Sequence, residues 1–344
     1  MKLMTADQVR AALSVRDLTD PNQGPHAMQP LLDEIEQAVS RWAGLPVRRH
    51  RGNPVVPTAD NYDRLGYPAD AVARDERYSR YLRPDLMLRA HTTAMIPPLL
   101  KETGTEALLS VPGMCYRRDA IDRQHVGQPH QLDLWLVRKG LADKDLHDMA
   151  QAVVQAAIPG AHAELTPSDH PYTLRGKEIR VDGMEVGECG LARPELCDGL
   201  AMGLGLDRLL MLRKGIDDIR LLRSAEPRIA QQLLDLTKYR KVSLQPPIRR
   251  DLSVAVDEDV DAEQLGAAVR DALGPDAHVV EEVQVLSRTP GELLPPVARD
   301  RLGLRAGEQN VLLRIVLRDL ERTLTDARAN ALRDTVYRAV HGDR

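Results

Sequence analysis

Between residues 113 and 133 the chain reads Gly113-Met114-Cys115-Tyr116-Arg117-Arg118-Asp119, then Ile121-Asp122-Arg123-Gln124-His125, then His130-Gln131-Leu132-Asp133. Residues 113–118 and 130–138 have the pattern of two antiparallel strands joined by a long charged loop. Alternate side chains of a strand share a face, so Arg117 and Asp119 are expected together, as are Gln131 and Asp133. Such a polar platform suits a substrate that carries both a phosphate and an ammonium group. The same residues also fit an exposed hairpin laced with salt bridges.

Downstream, Gly203-Leu204-Gly205-Leu206-Asp207-Arg208 opens an apolar helix over 203–214. The two glycines permit close backbone approach. Arg208, in the first turn, either pairs with a neighbour or faces an anion. No Gly-Lys-Ser/Thr follows, and the third glycine of a dinucleotide fingerprint is missing. Amphipathic spacing predicts helices over 28–43 and 143–158. Residues 177–191 read as two strands around Asp182-Gly183. Pro246-Pro247 marks a boundary. Beyond it come a strand at 251–256, a helix at 261–273, strands at 279–286 and 310–317, and a helix at 326–340, an order that fits a small antiparallel sheet backed by helices. The basic run Arg48, Arg49, His50, Arg51 reads as a solvated loop or, more sharply, as an RNA contact.

The net charge of −4, from 47 Lys and Arg against 51 Asp and Glu, excludes a chain that is basic overall but leaves room for local basic stripes. The start has no secretory pattern, and Cys115, Cys189 and Cys197 form neither a disulfide framework nor a zinc pattern, so a cytoplasmic setting is expected. There is no phenylalanine in 344 residues.

Taken together, these segments resemble the class II aminoacyl-tRNA synthetases, and more narrowly phenylalanyl-tRNA synthetase. The hairpin is similar to motif 2 and the glycine junction with Arg208 to motif 3. Leu88-Arg89-Ala90-His91-Thr92-Thr93 and Gly215-Ile216-Asp217-Asp218-Ile219-Arg220 extend the likeness. Arg249-Arg250-Asp251-Leu252 and Glu321-Arg322-Thr323-Leu324-Thr325-Asp326 resemble the family's anticodon-binding tail. The resemblance implies an α+β chain: an antiparallel class II catalytic sheet with flanking helices over 1–240, including an N-terminal helical region over 1–50, and a ferredoxin-like βαββαβ domain over 241–344. It implies ATP-dependent activation of an amino acid, phenylalanine first, and transfer to tRNA. Arg117 would hold the α-phosphate, Arg208 would cover the nucleotide, His125 would reach the outer phosphates and Asp119 would fix the adenine. Glu185 would hold Mg²⁺ or the substrate ammonium. His91, Thr93, Gln131 and Asp133 would hold the amino acid. Arg249, Arg250, Arg314 and Arg318 would touch tRNA, with Arg314 and Arg318 on one face of a strand. The family's forms leave monomer and homodimer both open.

Three positions depart from the family pattern. His170-Pro171-Tyr172 stands where two phenylalanines flank a proline in the side-chain pocket. Pro129 replaces a phenylalanine that stacks on adenine, a loss for Trp135, Tyr116 or Arg208 to offset. Asp133 is one methylene shorter than the usual glutamate. Three readings follow: a phenylalanyl enzyme that has shed phenylalanine, a relative that activates a polar or hydroxylated aromatic amino acid for a tRNA or another carrier, and a non-catalytic RNA-binding paralogue.

Overall fold

A computed structural model describes residues 3–118, 120–242 and 245–341. The chain divides into two compact units. One comprises Met1–Arg117, Gln128–Asp217 and Gln231–Tyr239; the other comprises Arg118–Gly127, Asp218–Ala230 and Arg240–Arg344.

The first unit runs α1 (Ala6–Ser14), α2 (Met28–Ala43), β1 (Val47–Arg49), β2 (Val55–Pro57), α3 (Thr58–Asn61), β3 (Arg80–Arg83), β4 (Leu86–Leu88), α4 (Ile96–Lys101), β5 (Ala107–Met114), β6 (His130–Val137), α5 (Asp143–Ala157), β7 (Glu164–Pro167), β8 (Thr173–Val181), β9 (Met184–Ala192), β10 (Gly199–Gly205) and α6 (Leu206–Lys214). Thr5 caps α1: its hydroxyl accepts from Gln8 N–H, and the Gln8 side chain accepts from Thr5 N–H. Seven strands form one sheet in the order β1-β5-β6-β10-β9-β8-β7, and β2, β4 and β3 form a small second one. The large sheet is antiparallel except at its edge, where β1 lies parallel to β5, so the all-antiparallel expectation fails there. Helix α2 precedes β1 in the chain; α2 and α5 pack on each other and, with α6, on β5, β6 and β9. That side is lined by fully buried Leu132, Leu134 and Leu136 of β6, and Leu31, Leu32, Ile35 and Val39 of α2 are fully buried too. Each such side chain contributes about 1.5–3 kcal/mol of burial.

Two arginines of the basic run after α2 stay exposed, as a solvated stretch would, but each is engaged by a neighbour within the chain. Arg49 Nε lies 3.0 Å from both oxygens of Glu36, and Arg51 donates to the Thr19 hydroxyl at 2.7 Å.

A buried bond joins the start of β6 to the start of α6. Asp207 accepts from the His130 backbone N–H at 2.5 Å and from its ring Nδ1 at 2.9 Å. Leu18 N–H donates to the ring Nε2 at 3.1 Å, which assigns the ring proton to Nδ1. His130 is 0% exposed.

The second unit contains the tip of the β5–β6 connection together with α7 (Pro227–Ala230), β11 (Ile248–Asp257), α8 (Ala262–Leu273), β12 (Val280–Pro290), α9 (Pro296–Leu302), β13 (Glu308–Leu317) and α10 (Asp326–His341). Its sheet has the order β11-β13-β12, all antiparallel. Among the described residues no fourth strand joins it, so the six-element βαββαβ order is met only in part. Val254, Val311, Leu313, Ile315 and Leu317 fill its core with Val269, Leu332 and Val336 of the helices, and Ile121 of the connection joins the same cluster. The Ile121 carbonyl accepts from Val283 N–H at 2.8 Å.

One carboxylate gathers three guanidinium groups in this unit. Glu281 lies 2.6 Å from Arg123, 2.6 Å from Arg318 and 3.6 Å from Arg220, with its own side chain 4% exposed. Removing one partner of a buried ion pair strands the others. Glu281→Ala is therefore expected to cost the second unit about 3–5 kcal/mol, read as a lower urea midpoint. Asp207→Asn, which takes the charge from both His130 bonds, is expected to cost about 1.5–3 kcal/mol in the first unit by the same assay.

Candidate active site

The site is built on the sheet face opposite α2, α5 and α6. Residues directly opposite one another in an antiparallel pair point to the same side. Asp133 on β6 faces Gly203 on β10, and Gly203 faces Glu188 on β9. One row along, Gln131 faces Gly205; on the other side, Trp135 faces Ala201 and Ala201 faces Gly190. The central strand thus presents only Gly205, Gly203, Ala201 and Gly199 on this face. The result is a trough between polar walls, the kind of place where glycine inside a strand lets a ligand approach the backbone. A Cβ at Gly203 would lie 3.6 Å from Glu188 Cγ and 3.8 Å from the Tyr172 hydroxyl oxygen, so it would enter the trough itself.

On the β6 wall, Asp133 is fully enclosed. Thr92 Oγ1 donates to its Oδ2 at 2.6 Å and Trp135 Nε1 to its Oδ1 at 3.2 Å; the Thr93 hydroxyl donates as well. Burial outweighs these donors and pushes the carboxyl up to about 6. Gln131 Oε1 accepts from Thr92 N–H at 3.3 Å. The expected pairing of Gln131 and Asp133 on one face is therefore present, and both are held by the turn at Thr92–Met95.

His91 closes one end of the site. Its ring stacks on Tyr67 at 5.7 Å, and its Nε2 lies 3.4 Å from Asn61 Nδ2. Its Nδ1 is buried without a hydrogen-bond partner among the described residues. Burial lowers the imidazole to about 4, leaving the ring neutral at pH 7; the charges of Glu188 and Arg117 also act on it. Arg117 acts on Tyr67 and Cys115 too.

On the β9 wall, Glu188 binds both members of the substituted dipeptide pair. Its Oε2 lies 3.0 Å from His170 Nε2, and its Oε1 accepts from the Tyr172 hydroxyl. Burial alone would raise the Glu188 carboxyl, but His170 and then Tyr172 bring it below its ordinary value. Burial alone would lower the His170 imidazole, but Glu188 brings it above its ordinary value. Tyr172 is pushed well up by burial and by the charges of Glu188 and Asp133. Tyr172 stacks on Trp135 at 6.0 Å.

At the helix end of the trough, Arg208 Nη1 donates to the Glu185 carbonyl at 3.0 Å and lies 3.2 Å from its Oε2. The Glu185 carboxylate is 49% exposed. Mg²⁺ is satisfied by one carboxylate plus phosphate oxygens, which fits this single exposed donor. Among the described residues no group of three His, Cys, Asp or Glu is placed to hold a metal.

Several expectations need correction. Strand β5 ends at Met114, where the backbone turns away: Tyr116 N–H donates to the Arg89 carbonyl at 2.9 Å. Arg117 therefore lies beyond the strand, in an isolated bridge to Ser79. Asp119 lies outside the described residues. His125 falls in the second unit, 2.6 Å from Asp122. Neither aromatic proposed to offset Pro129 is available: Trp135 is 0% exposed and Tyr116 3%. In the second unit, Arg318 follows the end of β13 and is bound to Glu281, so it shares no strand face with Arg314. Arg314 forms two 2.8 Å bonds to Asp251, and Arg250 binds Asn330 and Asp326 at 2.8 Å each. Arg249 is exposed. Sequence reasoning missed Thr92, Tyr67 and Glu188. The signal for Glu188 was a lone charge in Gly187-Glu188-Cys189-Gly190, six residues past a hairpin turn.

Comparison with known proteins places the chain in a family. Residues 15–233 match the model of the tRNA synthetases class II core domain (F), and residues 243–343 match the ferredoxin-fold anticodon binding domain. A phenylalanine–tRNA ligase alpha subunit from Prochlorococcus marinus (strain MIT 9313) is 32% identical over 232 residues, covering 63% of this chain and 69% of its own. The chloroplastic/mitochondrial phenylalanine–tRNA ligase of Arabidopsis thaliana is 28% identical over 312 residues, 83% of this chain and 68% of its own. A pyrrolysyl-tRNA synthetase structure from Desulfitobacterium hafniense superposes with a TM-score of 0.49 at 18% identity, covering 67% of this chain and 81% of that one. No helix among the described residues is long and apolar enough to cross a membrane. A class II core with a trough between Asp133 and Glu188, a ferredoxin-fold tail and phenylalanine–tRNA ligase relatives make one assignment: the chain belongs to the class II aminoacyl-tRNA synthetases, is similar to the phenylalanine–tRNA ligases, and is an aminoacyl-tRNA ligase.

Proposed function

We propose that the chain activates an aromatic amino acid of the phenylalanine kind with ATP and transfers it to a tRNA, in the cytoplasm. The observation that carries this reading is the row Asp133–Gly203–Glu188, a glycine-floored slot with an enclosed carboxylate at one end. The substrate ammonium pairs with Asp133, where a charge-assisted bond forms in a water-poor setting, and Gln131 and the Thr92–Thr93 hydroxyls fix its orientation. Thr93 and His91 act here as wall and support.

In the first step a carboxylate oxygen of the amino acid attacks the α-phosphorus, the bond to the bridging oxygen breaks, and pyrophosphate leaves. Negative charge builds on the phosphate oxygens, so fixed cations lower the barrier. Arg117 takes the α-phosphate and Arg208 covers the nucleotide; the parts of His125 at the outer phosphates and of Asp119 at the adenine rest on the family resemblance alone. Glu185 is the residue that would hold Mg²⁺, whose chemistry is neutralisation of phosphate charge. In the second step a ribose hydroxyl at the tRNA end attacks the acyl carbon and AMP leaves. Of the four arginines named for tRNA, Arg249 is the strongest candidate for a phosphate contact, because Arg250, Arg314 and Arg318 are engaged within the unit. The assembly is a monomer or a homodimer.

Two outcomes test the reading. Arg208→Ala is expected to lower ATP–pyrophosphate exchange by at least about 10²-fold; exchange at the wild-type rate would refute the assignment. The second test is pH. Because the Asp133 carboxyl sits near 6, lowering the pH through that value protonates it and removes the partner of the ammonium. The kcat/KM for the amino acid is expected to fall by about tenfold per unit below pH 6 and to level off above it. The same profile in Asp133→Asn should lack that limb.

A further inference from the structure

We propose that the amino acid carries a hydroxyl on its ring, received by Glu188; this rests on the reading of the trough as an amino-acid site. Adjacent strands are about 4.8 Å apart, so Asp133 and Glu188, separated by one strand, stand roughly 10 Å apart at their backbones with only Gly203 between them. A substrate whose ammonium is at Asp133 and whose ring lies over Gly203 directs the far edge of that ring at Glu188.

Glu188 is built to receive a donor there. One bond from His170 reaches Oε2 and one from Tyr172 reaches Oε1. An ionised carboxylate has about four acceptor positions, so about two remain open. The side chain keeps 37% exposure although His170 is 12% exposed and Tyr172 2%, and a Cβ built at Gly203 would lie 3.7 Å from Glu188 Oε1. The open acceptor positions therefore face the trough. An apolar ring laid against them removes water and returns no hydrogen bond, whereas a ring hydroxyl replaces that water with a charge-assisted bond. Sites that bind a substrate hydroxyl discriminate strongly against the analogue lacking it. His170 and Tyr172 act as positioning residues, each holding one oxygen of Glu188.

The test is ATP–pyrophosphate exchange by the purified full chain with phenylalanine and its ortho-, meta- and para-hydroxy isomers. At least one hydroxy isomer is expected to exceed phenylalanine in kcat/KM by tenfold or more. In Glu188→Ala that preference should vanish through a higher KM for the hydroxy isomer, with the KM for ATP unchanged. Glu188→Gln keeps the volume of the side chain and should weaken the preference in the same direction, which covers a poorly folded alanine variant. Phenylalanine equal to or better than every isomer would overturn the inference and leave the proposed function standing. A hydroxyl preference that survives both variants would also overturn it. Exchange with none of the four would remove the proposed function and this inference together.

Discussion

The His130–Asp207 bond is the constraint on which the site depends. It joins the first residue of β6 to the second residue of α6, and its neighbours are candidate site residues: Gln131 follows His130, and Arg208 follows Asp207. The carboxylate accepts from both the backbone and the ring of one residue, so it fixes an orientation as well as a distance. A slip of one residue would turn the whole face of a strand over. With His130 pinned, Gln131 faces Gly205 and Asp133 faces Gly203, and the polar side chains of β6 stand above the bare floor of β10. Burial makes the lock strong, because a hydrogen bond is electrostatically stronger in a low-dielectric interior than in water, and Asp207 is 4% exposed.

The second unit uses its arginines differently from what their number suggests. Glu281 draws in Arg123 and Arg318 at 2.6 Å, each from a different stretch of chain, and Arg220 reaches the Arg318 carbonyl at 2.9 Å. These cations hold the tip of the β5–β6 connection, the 218–230 segment and the end of β13 to one another. They serve first as internal fasteners. On the open face of the sheet, Arg314 is balanced by Asp251 in the opposite register position. Counting basic residues along the chain therefore overstates the charge that is left for a phosphate backbone.

Much of this was legible in the sequence. The helix predicted over 28–43 is α2 over Met28–Ala43, and that over 143–158 is α5 over Asp143–Ala157, because long amphipathic repeats carry their own period. Gln131 and Asp133 do share a face, since both lie inside β6. Arg117 and Arg318 were misplaced for one common reason: each lies just past a strand end, and alternation says nothing about where a strand stops. β5 stops where Arg89 enters; a Cβ at Gly113 would lie 2.1 Å from Arg89 Nη2, a contact between residues 24 positions apart. Trp135 and Tyr116 were read as possible adenine stackers because ring type is visible in a sequence and burial is not. Glu188 was missed because its partners, His170 and Tyr172, come from the segment before β8.

The two carboxylates that flank Gly203 show how one sheet face gives the same chemistry two characters. Asp133 receives neutral donors, two threonine hydroxyls and an indole N–H. They satisfy its oxygens but supply no charge, so burial dominates and the carboxyl is pushed up to about 6. Its electrostatic demand is left for a ligand to meet, which is what an ammonium does. Glu188 has an imidazole at 3.0 Å that it holds above its ordinary pKa. Its charge is largely answered within the protein, and what stays open is hydrogen-bonding capacity. The difference between charge hunger at one wall and lone pairs at the other gives the glycine floor two unlike ends, one suited to a cation and one to a hydrogen-bond donor.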